Sequence, residues 1–257
     1  MKFLHLYPNH SLLLNKSLTI HPYILLCNIE GNRTNYLHYN HIKLTKIYDW
    51  DAANYTSGNW IDSVGNRVLT KTGSPTLATV NNTQAMKVSY NNYFSLNMND
   101  TNNGLNLGDV WRIDLTFMMP SIPTDNPHYF LDFGSLATAP HAFAIDIMKS
   151  TGMFNFNAKL DGNTSNSTYN ISNIISQATI FTTISLGMER YSETNNILYA
   201  IYNNVKYYSP NSLLREKATF NRNFNTATLY VGRGQASNSY QTTADKYIKS
   251  IKIYSLQ

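Results

Sequence analysis

The chain has 257 residues, of which 42 % are hydrophobic, 13 % aromatic and only 14 % charged, with a formal net charge of +5. A sizeable core is within reach and global disorder is excluded, but charge falls well below the roughly 25 % usual for soluble domains, so Asn, Ser and Thr must make the surface polar. The aromatic weight, without Ala-rich or Glu/Lys-rich stretches, favours strands and turns and excludes a helical bundle or coiled coil.

Residues 1–43 differ from the rest. They hold five of the seven histidines (His5, His10, His21, His38 and His41) and short apolar patches at Leu12–Leu14, at Leu18 with Ile20, and at Ile24–Leu26. No helical period is sustained over them, so the segment is expected to be a semi-extended arm whose patches need a partner, the domain or another subunit. The histidines lack Cys or carboxylates at ligand spacing and read as solvated or core-edge imidazoles. Cys27 stands alone, which leaves no intrachain disulfide and suits a small buried hydrophobe. His5, Pro8, Asn9 and His10 interrupt the first apolar run before a signal-peptide core can form, and this argues against export through a cleaved signal. No stretch reaches the roughly 18 apolar residues of a membrane span. Lys and Arg are scattered rather than clustered on one face, so neither nucleic acid nor membrane is expected as a partner.

From Leu44 onward the pattern is alternation punctuated by Gly, Asn, Pro and Ser, the signature of strands. Trp111, Ile113, Leu115 and Phe117 alternate with Arg112, Asp114 and Thr116; Phe154, Phe156, Ala158 and Leu160 alternate with Asn155, Asn157 and Lys159; Ile180, Ile184, Leu186 and Met188 share one parity. Each strand would have a buried and a wetter face, as a two-sheet sandwich requires. Ile197–Tyr202 and Val205–Ser209, joined by Asn203-Asn204, predict a hairpin, because both Asn residues tolerate positive φ. Ser212–Lys217 is at best a short helical turn.

Three blocks in order resemble the laminin-G-like branch of the concanavalin A-like lectin/glucanase superfamily. They are Tyr48-Asp49-Trp50-Asp51 with Trp60–Asn66 and Gly73-Ser74-Pro75; Ala85–Val88 with Tyr93–Leu96 and the Trp111–Phe117 strand; and Leu198–Asn204 with Leu229–Gly232 and Ile248–Tyr254. Asn-Asn stands where the family's hairpin usually has Asn-Gly, which the turn still permits. The resemblance implies an all-β fold, a two-sheet antiparallel jelly-roll sandwich over residues 44–257, preceded by the arm over residues 1–43. It implies no function, because the fold carries enzymes, lectins and spacers alike.

Glucanases of this fold use carboxylates at alternate positions of one strand, and a retaining pair must stand about 5 Å apart. The chain has four Glu (Glu30, Glu189, Glu193 and Glu216) and no Glu-x-Asp-x-Glu pattern, so it is not expected to be an enzyme. No cofactor is expected. Calcium is weighed at Asp62 and Asn66, with Ser63, and at Asn99–Asn103, against turns closed by Asx side chains. Sugar recognition needs an aromatic beside amides, which nominates Tyr55, Asn59 and Trp60 in the loop Asn54–Trp60, and Asn238 with Tyr240; against this, Trp60 could plug the core beneath its loop. These features together lead to the expectation of a non-enzymatic structural protein of a virion. It would be a phage head or tail fibre or decoration subunit, docked on capsid or tail proteins through residues 1–43 as a homo-oligomer, with a lectin-like domain for host glycans. The alternative is a carbohydrate-binding module or adhesin of a bacterial cell surface.

Overall fold

The computed structural model describes residues 43–98, 107, 110–121, 128–133, 142–147, 154–159, 167–171, 180–190, 195–208, 215–216, 228–234 and 244–256. The expected arm, Lys43 apart, the calcium candidates at 99–103 and the pair Asn238 and Tyr240 lie outside the described residues.

Eighteen strands are described. They are β1 (Thr45–Asp51), β2 (Tyr55–Thr56), β3 (Asn59–Ile61), β4 (Val68–Thr72), β5 (Thr76–Val80), β6 (Thr83–Val88), β7 (Tyr93–Asn97), β8 (Trp111–Met118) and β9 (His128–Phe133), followed by β10 (Ala142–Ile147), β11 (Phe154–Lys159), β12 (Ser167–Ile171), β13 (Thr182–Arg190), β14 (Asn195–Tyr202), β15 (Val205–Tyr208), β16 (Arg215–Glu216), β17 (Thr228–Val231) and β18 (Lys246–Ser255). They form two antiparallel sheets, the expected sandwich. Sheet one runs β15-β14-β13-β8-β18-β6-β5, with β1 also on β18 and β16 on β14; sheet two runs β12-β11-β10-β9-β17-β7-β4-β3-β2.

The inward parity fills the space between the sheets. Trp111, Ile113, Leu115 and Phe117 of β8 are buried together with Ile184, Leu186 and Met188 of β13 and with Leu229 and Val231 of β17. Phe117 of sheet one meets Phe130 of sheet two with ring centroids 4.4 Å apart. Burying a Phe or Leu of this kind stabilises the fold by about 1.5–3 kcal/mol each. Ile180, expected in the same parity, precedes β13 and is half exposed, because the pleat that would turn it inward begins only at Thr182.

Two-residue turns set the hairpin registers. Asn203 and Asn204 adopt φ of 50° and 61°, so Tyr202 opposes Val205 and Tyr199 opposes Tyr208, as the sequence predicts. The same device recurs between β5 and β6, where Asn81 and Asn82 have φ of 49° and 59°. Ser57 and Gly58 form a third such turn, so the segment expected as a loop from Asn54 is in fact the β2–β3 hairpin, with Tyr55 opposite Trp60. Of the helical turn expected at Ser212–Lys217 only Arg215–Glu216 are described, and they are extended instead, pairing as β16 with Asn195–Asn196 of β14, where β14 runs beyond the reach of β15.

Candidate functional site

The outer face of sheet one bears a groove of about 340 Å³ that crosses four strands. Val110 lines it just before β8 and Arg112 on β8, Met188, Glu189 and Arg190 at β13, Tyr199 and Ile201 at β14, and Lys206 at β15, with Leu44 at its side. The register builds this row: Arg112 opposes Gly187, Gly187 opposes Tyr199, and Tyr199 opposes Tyr208. Alternation turns Arg112, Glu189, Tyr199 and Ile201 outward, since their neighbours Trp111, Leu186, Met188, Leu198 and Ala200 are in the core, and Lys206 opposes Ile201. Arg190 shares the parity of Met188, and both border the groove from β13. Gly187 leaves a notch that the Tyr199 ring occupies; a Cβ there would lie 2.6 Å from Tyr199 Cζ and 2.5 Å from the Trp111 carbonyl oxygen.

Charge is arranged around the tyrosines. Lys206 Nζ lies 4.2 Å from the Tyr199 ring centroid and 5.2 Å from that of Tyr208, within cation–π range. The ammonium also donates to Glu189 Oε2, and the Tyr208 hydroxyl donates to Glu189 Oε1 at 2.8 Å. Burial, and then the nearby Glu189 charge, raise the Tyr199 phenol well above its ordinary range; burial and the hydrogen bond to Glu189 do the same for Tyr208. Both hydroxyls therefore keep their protons at any physiological pH. Arg112 faces Asp114 along its own strand, with Nε to Oδ1 at 3.0 Å and Nη2 to Oδ2 at 3.2 Å, and its guanidinium lies 4.4 Å above the Tyr254 ring. The site is thus a groove with the buried Tyr199 at its floor, the exposed Tyr208 beside it, cations at its edge and a single carboxylate in its lining.

Tyr55, Asn59, Trp60, Asp62 and Asn66, nominated from sequence, lie elsewhere. Trp60 is completely buried; its Nε1 donates to the Asp51 carbonyl at 2.7 Å and its ring meets Phe94 at 5.4 Å. The indole is therefore a core plug, not a stacking surface for a ligand. Opposite it across the hairpin, Tyr55 turns edge-on to the same Phe94 at 6.1 Å, while Asn59 is exposed. Asp62 is fully buried: Oδ1 accepts from the amides of Asp49 at 2.6 Å and Val64 at 3.0 Å, and Oδ2 accepts from that of Gly65 at 2.7 Å. Asn66 takes the left-handed conformation at φ 57° and donates its amide to the Asp62 carbonyl at 3.0 Å. This cluster is a carboxylate-organised turn, and among the described residues no group of three or more His, Cys, Asp or Glu gathers as metal ligands.

Sequence reasoning missed Arg112, Glu189, Arg190, Tyr199 and Lys206. The outward parity of Arg112 and the hairpin pairing of Tyr199 were both readable, but the adjacency of β8 and β13, which brings Arg112 beside Tyr199, has no local signal.

No protein-family model matches the chain, and no curated protein matches its sequence. Solved structures do. The receptor binding domain of botulinum neurotoxin mosaic serotype C/D, with tetraethylene glycol on its Hcn sub-domain, is similar at a TM-score of 0.57 and 12 % identity, over 83 % of this chain and 48 % of that one. Botulinum neurotoxin type C, which enters cells in dependence upon interaction with two ganglioside molecules, gives 0.55 and 13 % over 82 % and 47 %. The binding domain of botulinum neurotoxin DC in complex with SialylT gives 0.52 and 13 % over 81 % and 47 %. The chain spans about half the length of these relatives. At such identities the likeness shows one thing, a shared β-sandwich fold.

Proposed function

We propose that this chain is a non-enzymatic glycan-binding sandwich of concanavalin A-like type, carried on a virion as a fibre or decoration subunit that attaches to host-surface sugars. The groove across β8, β13, β14 and β15 carries the reading: the exposed ring of Tyr208 beside charged hydrogen-bonding groups is the composition that holds a pyranose by its apolar face and its hydroxyls. Glycosidic cleavage needs two carboxylates; the groove lining offers Glu189 alone, held by Lys206 and Tyr208. The neighbouring folds give support, since one belongs to a toxin whose uptake depends on gangliosides and another binds SialylT. The virion setting rests on the weakly charged, Asn-rich composition, and residues 1–43 would then dock on capsid or tail proteins or build the oligomer.

A glycan array probed with the full chain tests the binding. The wild type is expected to bind a defined subset of glycans, and Tyr208→Ala and Lys206→Ala, both at exposed positions, to weaken it about tenfold, which is about 1.4 kcal/mol. A blank array, or variants that bind like the wild type, would overturn the assignment.

A further inference from the structure

The row of outward side chains does not end at Arg112. On the outer face of sheet one, Arg112 opposes Tyr254 of β18, and Tyr254 opposes Lys46 of β1. A single row of register partners therefore runs Lys46, Tyr254, Arg112, Gly187, Tyr199, Tyr208 across six strands. Strands stand about 4.8 Å apart, so the row spans about 24 Å. A second row beside it runs Asp49, Lys252, Asp114, Ser185, Ile201, Lys206. In the first row Tyr254 stands between Lys46 and Arg112 while Tyr199 and Tyr208 stand together, with Arg112 over Tyr254 at 4.4 Å at one end and Lys206 over Tyr199 at 4.2 Å at the other. Five cations (Lys46, Arg112, Arg190, Lys206 and Lys252) face three carboxylates, Asp49, Asp114 and Glu189, over the two rows and the groove.

We infer that this surface is a track for a linear acidic oligosaccharide, several sugar units long and bearing carboxylate or sulfate groups, which crosses the strands from β15 towards β1. The inference rests on the glycan-binding reading above and adds the ligand's length and charge. A terminal sugar would need one closed pocket; a surface about 24 Å long with cations near both ends and tyrosines between them suits a polymer of several rings. The excess of positive charge selects an acidic chain over a neutral one. The groove, lined at its side by Leu44 and Val110, is concave and favours a single chain over a flat lipid surface.

Titration calorimetry of the full chain with heparin-derived di-, tetra- and hexasaccharides tests this, with chitin oligosaccharides of the same lengths and phosphatidylserine vesicles as further arms. Affinity is expected to rise at least about tenfold from heparin disaccharide to hexasaccharide, to fall as NaCl is raised from about 50 to 300 mM because exposed charges are screened, and to exceed that for chitin oligosaccharides at every length. Lys46→Gln, at the far end of the track and on the surface, is expected to reduce the gain from disaccharide to hexasaccharide. Equal affinity at all lengths, equal affinity for the neutral series, or binding to the vesicles alone would overturn the inference. A positive glycan array with no gain from length or charge defeats this inference and leaves the glycan reading standing; a blank array defeats both.

Discussion

Replacing Gly187 by Ala tests the floor of the groove directly. The added Cβ would sit 2.5 Å from the Trp111 carbonyl oxygen on β8 and 2.6 Å from both Cζ and the hydroxyl oxygen of Tyr199 on β14. Neither contact is tolerable, and the first involves backbone, so no rotamer change removes it. Overfilling a packed site costs about 1–3 kcal/mol; about 2 kcal/mol corresponds to a Tm lower by about 6 °C in a domain of this size. Thermal and urea unfolding of Gly187→Ala read the cost. A second background separates the two contacts: in Tyr199→Ala the ring is gone and only the carbonyl clash remains, so adding Gly187→Ala there should cost about 1 kcal/mol less than in the wild type. Glycan binding should fall as well, because the displaced ring no longer floors the groove or meets Lys206. A Tm within about 1 °C of wild type, or the same cost on both backgrounds, would refute the placement of Tyr199 over Gly187.

Other outcomes follow from buried groups. Lys246 is buried at the start of β18, and burial lowers its ammonium pKa from the ordinary 10.5 to about 7; between these values the unfolded chain holds the extra proton, so stability should climb as pH rises from about 7 to 10, and Lys246→Met should flatten that slope in urea titrations at several pH values. Asp62→Ala strands three amide donors, and at about 1–3 kcal/mol for each buried orphan the urea midpoint should drop sharply. Millimolar calcium, by contrast, should leave the wild-type Tm within about 1 °C, because backbone amides already hold both oxygens of Asp62. Trp60→Ala should cost about 3–5 kcal/mol through the cavity it opens, and Trp60→Phe less, about 1–3 kcal/mol for the stranded Asp51 carbonyl; calorimetric melts of both variants check the order.

What the sequence discloses depends on how local the determining physics is. The β14–β15 register was legible because two adjacent residues suited to positive φ, Asn203 and Asn204, fix which side chains oppose one another, and this alone places Tyr199 beside Tyr208. The outward parity of Arg112 was legible from Trp111–Phe117. The pairing of β8 with β13 joins residues some seventy positions apart, such as Arg112 and Gly187, and only the topology of the sheet decides it; the groove stayed hidden for that reason. Trp60 misleads for the opposite reason. The composition of Asn54–Trp60 is that of a sugar-binding loop, but the Ser57–Gly58 turn folds it into a hairpin and the pleat carries the indole inward. In Asp62–Asn66 oxygen ligands and turn chemistry share one composition, and the supply of amide donors within reach decides between them.

Hydrogen exchange on the full chain, with and without a glycan selected on the array, tests the central assignment most directly, since it locates the bound sugar without altering the protein. The account predicts added protection of amides in β13, β14 and β15 around Glu189, Tyr199 and Lys206, with the β2–β3 hairpin unchanged. Protection confined to that hairpin, or to sheet two, would contradict it.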